Sequence, residues 1–187
     1  MTLLEMKKKV LRLIEEAAAE GNAKLTEDPD IELKLNDVIN QVMFEVARMK
    51  KIPARSTETI TASDQEFELT SLDNFYQLGS IKFKDDSGAE REYEMFENIV
   101  DFPTTGTATI NYYKYPKRIT DDTADEAYKF ELSDDALEII PYGVAADLLK
   151  SDVSNNYGQI YSQRYETMLQ RLDPRYSMGS ITFEGGY

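Results

Sequence analysis

Apolar positions recur at helical spacing at both ends of the chain and alternate in strand fashion between them. From Thr2 to about Glu20, Leu3, Val10, Ile14 and Ala17 fall on one helical face, with Leu4, Leu11 and Ala18 on the face beside it. Thr2 and Glu5 stand at the capping-box spacing, in which each side chain satisfies the other's free backbone N–H, and Gly21 is a fitting stop. After a polar connection, Asp28 and Pro29 read as the N-cap and first turn of a second helix that runs to Lys50. Ile31, Leu35, Val38, Val42 and Met49 make its stripe, and Ile39, Met43 and Val46 widen it enough to face more than one helix. Lys50 and Lys51 suit the negative end of the helix dipole, and Pro53 stops the helix.

From Ser56 the period changes to two. Residues 57–61, 66–70 and 107–113 alternate β-branched or aromatic side chains with polar ones and predict half-buried strands. Residues 80–84 and 91–95 flank Asp85-Asp86-Ser87-Gly88, which predicts a hairpin. Residues 95–101 fit a short helical turn as well as a strand. Helical spacing returns at Ser133, where Ser133-Asp134-Asp135 reads as a cap. Pro141 should break the pattern into a turn over 134–140 and a helix over 141–150. A last helix over 154–172 carries Tyr157, Ile160, Tyr161, Tyr165, Met168 and Leu172 along one side, and Asp173-Pro174 ends it. Ser180 to Glu184 then forms a strand-like run with no hairpin neighbour. Such a strand must find an edge, in its own domain or on another molecule.

The order of elements predicts an α+β fold. A helical bundle formed by the N- and C-terminal helices carries an inserted small antiparallel β-sheet domain and an extended C-terminal arm. The divisions expected are 1–53 for the first helical pair, 54–118 for the β domain, 119–174 for the later helices and 175–187 for the arm.

Composition narrows the function. With 41% hydrophobic and 30% charged residues, the chain of 187 residues has the balance of a globular protein. No apolar run reaches the ~20 residues of a membrane-spanning helix, so no membrane association is expected. The first residues, with their lysines after the first leucines, are not read as a secretory signal. Cysteine and histidine are both absent. That removes disulfides, thiolate metal sites, the commonest general base and the Ser-His and Cys-His nucleophile pairs. The net charge of -14 argues against wrapping nucleic acid, which needs clustered cations, but suits a wall past which DNA slides.

Asp121, Asp122, Asp125 and Glu126 suggest a calcium loop at first sight. Counted from Asp121, however, the positions that need glycine and glutamate hold Glu126 and Leu132, and the match fails. There is no phosphate-binding glycine loop. No catalytic residue, metal ligand or cofactor is expected, although a pair among 35 acids could in principle serve a carboxylate-based hydrolase. Lys7, Lys8 and Lys9 form the one basic run, read as a solvated helix face or a contact to an acidic neighbour. The 12 tyrosines, against 8 phenylalanines and no tryptophan, crowd into the C-terminal half, and tyrosine favours protein interfaces.

Several stretches carry a resemblance. They are the N-terminal amphipathic helix pair, the strand Ile110-Asn111-Tyr112-Tyr113-Lys114-Tyr115-Pro116 with its following loop, the segment from Leu132 to Leu149 (LSDDALEIIPYGVAADLL), the final helix and the arm. In this order they resemble the head-to-tail connector (adaptor) proteins of tailed bacteriophages, and the inserted sheet is similar to the larger members. The resemblance implies a structural virion protein, made in the host cytoplasm and placed in the neck between capsid and tail. It implies a homo-oligomeric ring of twelve copies beneath the portal protein, which receives a stopper, tail-tube or tail-completion protein. Double-stranded DNA would pass through its channel without sequence-specific binding. On that reading, Tyr176, Met178, Ile181, Thr182, Phe183 and Tyr187 bind the portal or a neighbouring subunit. Tyr142, Ala145, Ala146, Leu149, Tyr157, Tyr161 and Tyr165 pack subunits together. A stopper or tail-completion role is the nearest alternative.

Overall fold

The structure, a computed structural model, describes residues 1–17, 25–150 and 156–172. The chain divides into two compact units: Met1–Lys50 with the chain from Arg118 on, and Lys51–Lys117. The fold is α+β, with four helices of two turns or more, a short fifth, and two three-stranded antiparallel sheets among the described residues.

In the helical unit, α1 (Leu3–Leu13) opens on the expected capping box. The Glu5 N–H donates to the Thr2 hydroxyl at 3.2 Å, and the Thr2 N–H donates to the Glu5 carboxylate at 2.8 Å. The helix stops well short of the expected Glu20. Glu15 takes a left-handed conformation, φ 62°, and the N–H groups of Glu15 and Glu16 donate back to the carbonyls of Arg12 and Leu11. This is a Schellman closure, and it satisfies the carbonyls that a helix end otherwise leaves open. Apolar spacing alone carried the expectation past this point. Gly21, the expected stop, lies outside the described residues.

Helix α2 (Pro29–Met49) runs as its pattern predicts, with the Asp28 carboxylate accepting from the N–H groups of Asp30 and Ile31 at 2.8 and 3.3 Å. Its wide stripe buries Leu35, Val38, Ile39, Val42, Met43 and Val46. Asn40, in the same stripe, is also buried. Its amide donates to the Ile119 carbonyl at 2.8 Å and accepts from the Ile119 N–H at 2.9 Å. One side chain thus acts as a strand-like partner for the backbone where the chain returns to this unit.

Helix α3 (Asp134–Leu137) and helix α4 (Ile140–Leu148) divide the region as Pro141 demands, with the proline in the first turn of α4. Ser133 occupies the N-cap position of α3, but its hydroxyl makes no capping bond, contrary to expectation. Helix α4 packs against α1, α2 and α5 (Tyr157–Leu172), and Ile140, Pro141, Val144 and Ala145 are buried there. Gly143 is needed at the closest approach: a Cβ would sit 2.8 Å from both the Tyr165 ring and Val42 Cγ1.

In the β unit, β1 (Ile52–Ile60) and β3 (Phe75–Asp85) flank β6 (Gly106–Lys114). The second sheet places β5 (Ile99–Phe102) between β2 (Gln65–Glu68) and β4 (Glu94–Phe96). Pro53 lies within β1, which tolerates it because the strand is at an edge. The run expected over 66–70 ends at Glu68 and passes into a 3₁₀ turn, Leu69–Ser71. The inner sides of both sheets share one core around Ile60, Leu69, Phe83, Val100, Phe102 and Ile110. The rings of Phe83 and Phe102 meet there at 4.8 Å.

Two strand expectations are corrected. The turn after Lys84 forms, with the Asp85 carboxylate accepting from the Ser87 and Ala89 N–H groups and from Arg91 Nε at 2.9, 3.1 and 2.6 Å. The second arm does not pair with β3, however. Only a bridge between Lys84 and Glu90 follows the turn, and residues 94–96 cross to the other sheet. The strand that pairs with β3 is β6. Residues 95–101 are no helical turn but a tight hairpin between β4 and β5, with Glu97 at φ 54°.

Candidate interaction surfaces

Tyr157 and Tyr161 of α5 stand on one side of the helix, as their spacing predicts, and Tyr142 of α4 meets them there. The rings of Tyr142 and Tyr157 lie 6.1 and 6.3 Å from that of Tyr161, and the Arg164 guanidinium sits 4.2 Å over Tyr142. The Tyr161 hydroxyl donates at 2.9 Å to the Leu13 carbonyl at the end of α1, and the Tyr165 hydroxyl donates at 2.8 Å to Glu45 of α2. Burial pushes the Tyr161 phenol up, and burial followed by the Glu45 carboxylate pushes that of Tyr165 up. Both therefore stay neutral donors, tying α5 to the rest of the unit.

This arrangement sorts the residues expected to pack subunits. Ala145 and Tyr165 are buried within the chain itself. Tyr142, Ala146, Leu149 and Tyr161 are half-buried. Tyr157 is 53% exposed, and beside it Ile160 is 52% exposed, an apolar pair on the outer side of α5. The residues expected to bind the portal, Tyr176, Met178, Ile181, Thr182, Phe183 and Tyr187, lie outside the described residues. The basic run is largely satisfied within the chain: Lys7 pairs with Asp125 at 2.9 Å and Lys9 with Glu138 at 2.7 Å. Asp125 is thereby taken up by an ion pair.

Two further surfaces belong to the β unit. On the first sheet the outward rungs are Arg55–Asn111–Ser80, Thr57–Thr109–Lys82 and Thr59–Thr107–Lys84. None of the nine residues is acidic. Arg55 Nε donates to the Asn111 amide oxygen at 2.8 Å, whose nitrogen donates to the Ser80 hydroxyl at 3.0 Å. On the second sheet the rung Glu66–Asp101–Glu94 puts three acidic residues in one row. The next outward rung is Glu68–Ile99–Phe96, with Phe96 74% exposed. Among the described residues no three acidic groups converge in a way that could hold a metal ion. Nor, among them, is any helix long and apolar enough to cross a membrane.

Sequence reasoning missed both sheet faces. The alternation in each strand was visible, but a face is assembled from strands far apart in sequence, and their register was not. The exposed Phe96 was hidden because residues 95–101 had no assigned period.

A protein-family model described as SU10 adaptor protein matches residues 1–182 of the chain. No curated protein matches it.

Proposed function

Since the chain belongs to the SU10 adaptor protein family, a family of phage head-to-tail adaptors, we propose that it forms a ring between portal protein and tail. As a member of that family it is a structural protein of the virion neck. The finer reading is a ring of identical copies, twelve by analogy with connectors of this kind, docked beneath the portal and passing double-stranded DNA through its centre. The match over nearly the whole chain is the observation that carries it. The exposed Tyr157 and Ile160 on α5 offer one surface for a neighbour, with Tyr161 and Tyr142 adjoining Tyr157, while the half-buried Ala146 and Leu149 line a groove beside α5 that offers another. Residues 175–187, with Ile181 and Phe183 foremost, supply a strand that adds to a sheet edge of the portal or of an adjoining subunit. The acidic balance keeps the channel wall from holding DNA. A stopper or tail-completion protein then takes the free side of the ring.

The test mixes the purified protein with the portal encoded beside it and images the product. A ring stacked on the portal is expected. A chain lacking residues 176–187 should keep the melting temperature of the intact protein and fail to dock. Docking that survives this truncation would remove the arm from the mechanism, and cross-links to the tail tube alone would favour the stopper role.

A further inference from the structure

The two outward sheet faces of the β unit have opposite chemistry, and among the described residues no ion pair neutralises either. In a protein of net charge -14, a face with Arg55, Lys82 and Lys84 and no carboxylate on its three rungs is a local reversal of sign. Among the described residues, Lys82 and Lys84 have no ion-pair partner. The third rung continues past Lys84 to Glu90 through an isolated bridge, with no ion pair between these two side chains. The rest of the face is hydroxyl and amide, with threonine methyl groups between the cations.

The other face carries an electrostatic cost. Directly opposed residues of neighbouring strands lie ~5 Å apart, and like charges there repel. Glu66, Asp101 and Glu94 occupy one such row. Among the described residues no cation or hydrogen-bond donor meets any of the three. Beside them Ile99 and Phe96 are exposed, so apolar surface adjoins the charged row as it does in protein interfaces. A partner that brings cations to this row relieves the repulsion and covers the apolar pair.

We infer that these faces are the two halves of a copy-to-copy contact: the Arg55, Lys82 and Lys84 face of one β unit docks on the Glu66, Asp101 and Glu94 face of the next. The occupant is a second copy of this chain because the chain itself carries both complements on one unit. Two different faces in contact make a head-to-tail interface, which repeats around a ring when the rotation closes. The inference rests on the ring proposed above and adds the surfaces that join it.

The test uses the full chain as an equal mixture of unlabelled and nitrogen-15-labelled protein at high concentration and low salt. A carbodiimide joins carboxylates to lysines in direct contact. The expected product is a mixed-isotope cross-link between a peptide with Lys82 or Lys84 and one with Glu66, Glu94 or Asp101. In the Lys82→Glu/Lys84→Glu variant and in the Glu66→Lys/Glu94→Lys variant, each folded by circular dichroism, its yield should fall by roughly tenfold or more, because like charges now face each other. Sedimentation should show less association in each variant alone and its recovery when the two are mixed, since each then finds its complement.

Absence of the wild-type cross-link, or variants that neither lose association alone nor regain it together, overturns the inference. So does a cation face that proves to bind duplex DNA and forms no such cross-link. Portal docking is scored separately. Docking without the cross-link refutes these surfaces alone, and the cross-link without docking refutes the adaptor reading while leaving the contact.

Discussion

Single residues hold this fold at places that no pattern of apolar positions marks. Asn40 is buried to 4% exposure and makes both of its hydrogen bonds to one backbone unit, at Ile119. Asn40→Ala would strand a buried N–H and a buried carbonyl, and each such group costs about 1–3 kcal/mol. A loss of about 2–4 kcal/mol in urea unfolding is therefore expected. Glu15 closes α1 in a conformation that suits glycine, so Glu15→Gly should raise stability by about 1 kcal/mol, read as a higher melting temperature. Asp85 behaves as a pH-dependent clasp. Hydrogen bonds from Ser87 first, then Arg91, lower its pKa from 3.8 to about 2. A carboxyl whose folded pKa is depressed stabilises above its unfolded value and loses that effect as pH falls through the folded one. The turn over 85–89 should accordingly hold at pH 5 and open between pH 3.8 and about 2, seen as loss of amide protection at Ser87 and Ala89. In Asp85→Asn the same amides should show no such acid step. A protection profile unchanged between pH 5 and 2 in the native protein would contradict this account.

At the scale of elements, the helices are joined by close approach rather than by bulk alone. Gly143 lets α4 touch Val42 of α2 and Tyr165 of α5 at once. Gly143→Ala gains about 1 kcal/mol of intrinsic helix preference. It also forces a methyl group against two buried side chains, an overpacking that costs about 1–3 kcal/mol. Tyr165 cannot swing away freely, because its hydroxyl is tied to Glu45. A net loss of stability with the helix content retained is expected, measured by thermal unfolding at 222 nm. The elements also show why some of the molecule was legible in advance. Helix α2, the Pro141 break and the strand over 107–113 follow from period, capping and proline, all of which are local. The end of α1 was not visible because a glutamate, not a glycine, takes the left-handed turn. The hairpin over 80–95 was half right for a similar reason: Asp85 makes the turn locally, but β6 wins the pairing with β3 through a core contributed by residues far along the chain. The tyrosine spacing put Tyr157, Tyr161 and Tyr165 on one side of a helix, yet spacing cannot tell a face that packs inward from one left outward. Only the neighbours Leu13 and Glu45 decide that.

At the scale of the whole molecule, the division into two units has a simple covalent basis. Ile52 and Lys114 are opposite one another in the β1–β6 ladder, so the β unit leaves and returns through two adjacent strands. Its core, from Ile60 to Tyr112, is drawn wholly from residues 51–117. A segment whose ends are already paired and whose core is its own has little to lose on excision. Residues 51–117 made alone should therefore fold with the same sheet register, visible as cross-strand contacts between Thr57 and Thr109 and between Lys82 and Thr109 in solution NMR. The unit is small, and a domain of this size buries only ~60% of its unfolded surface, so its stability margin should be narrow. The repulsive row at Glu66, Asp101 and Glu94 narrows that margin further, and salt screens such exposed charges. Raising ionic strength from low to ~0.5 M should thus raise the melting temperature of the isolated unit, and Asp101→Asn should reproduce part of that gain without salt. An excised unit that is unfolded at every ionic strength would show that the β sheets need the helical unit to form. A unit that folds but is indifferent to both salt and Asp101→Asn would show that the three carboxylates do not repel enough to invite a partner.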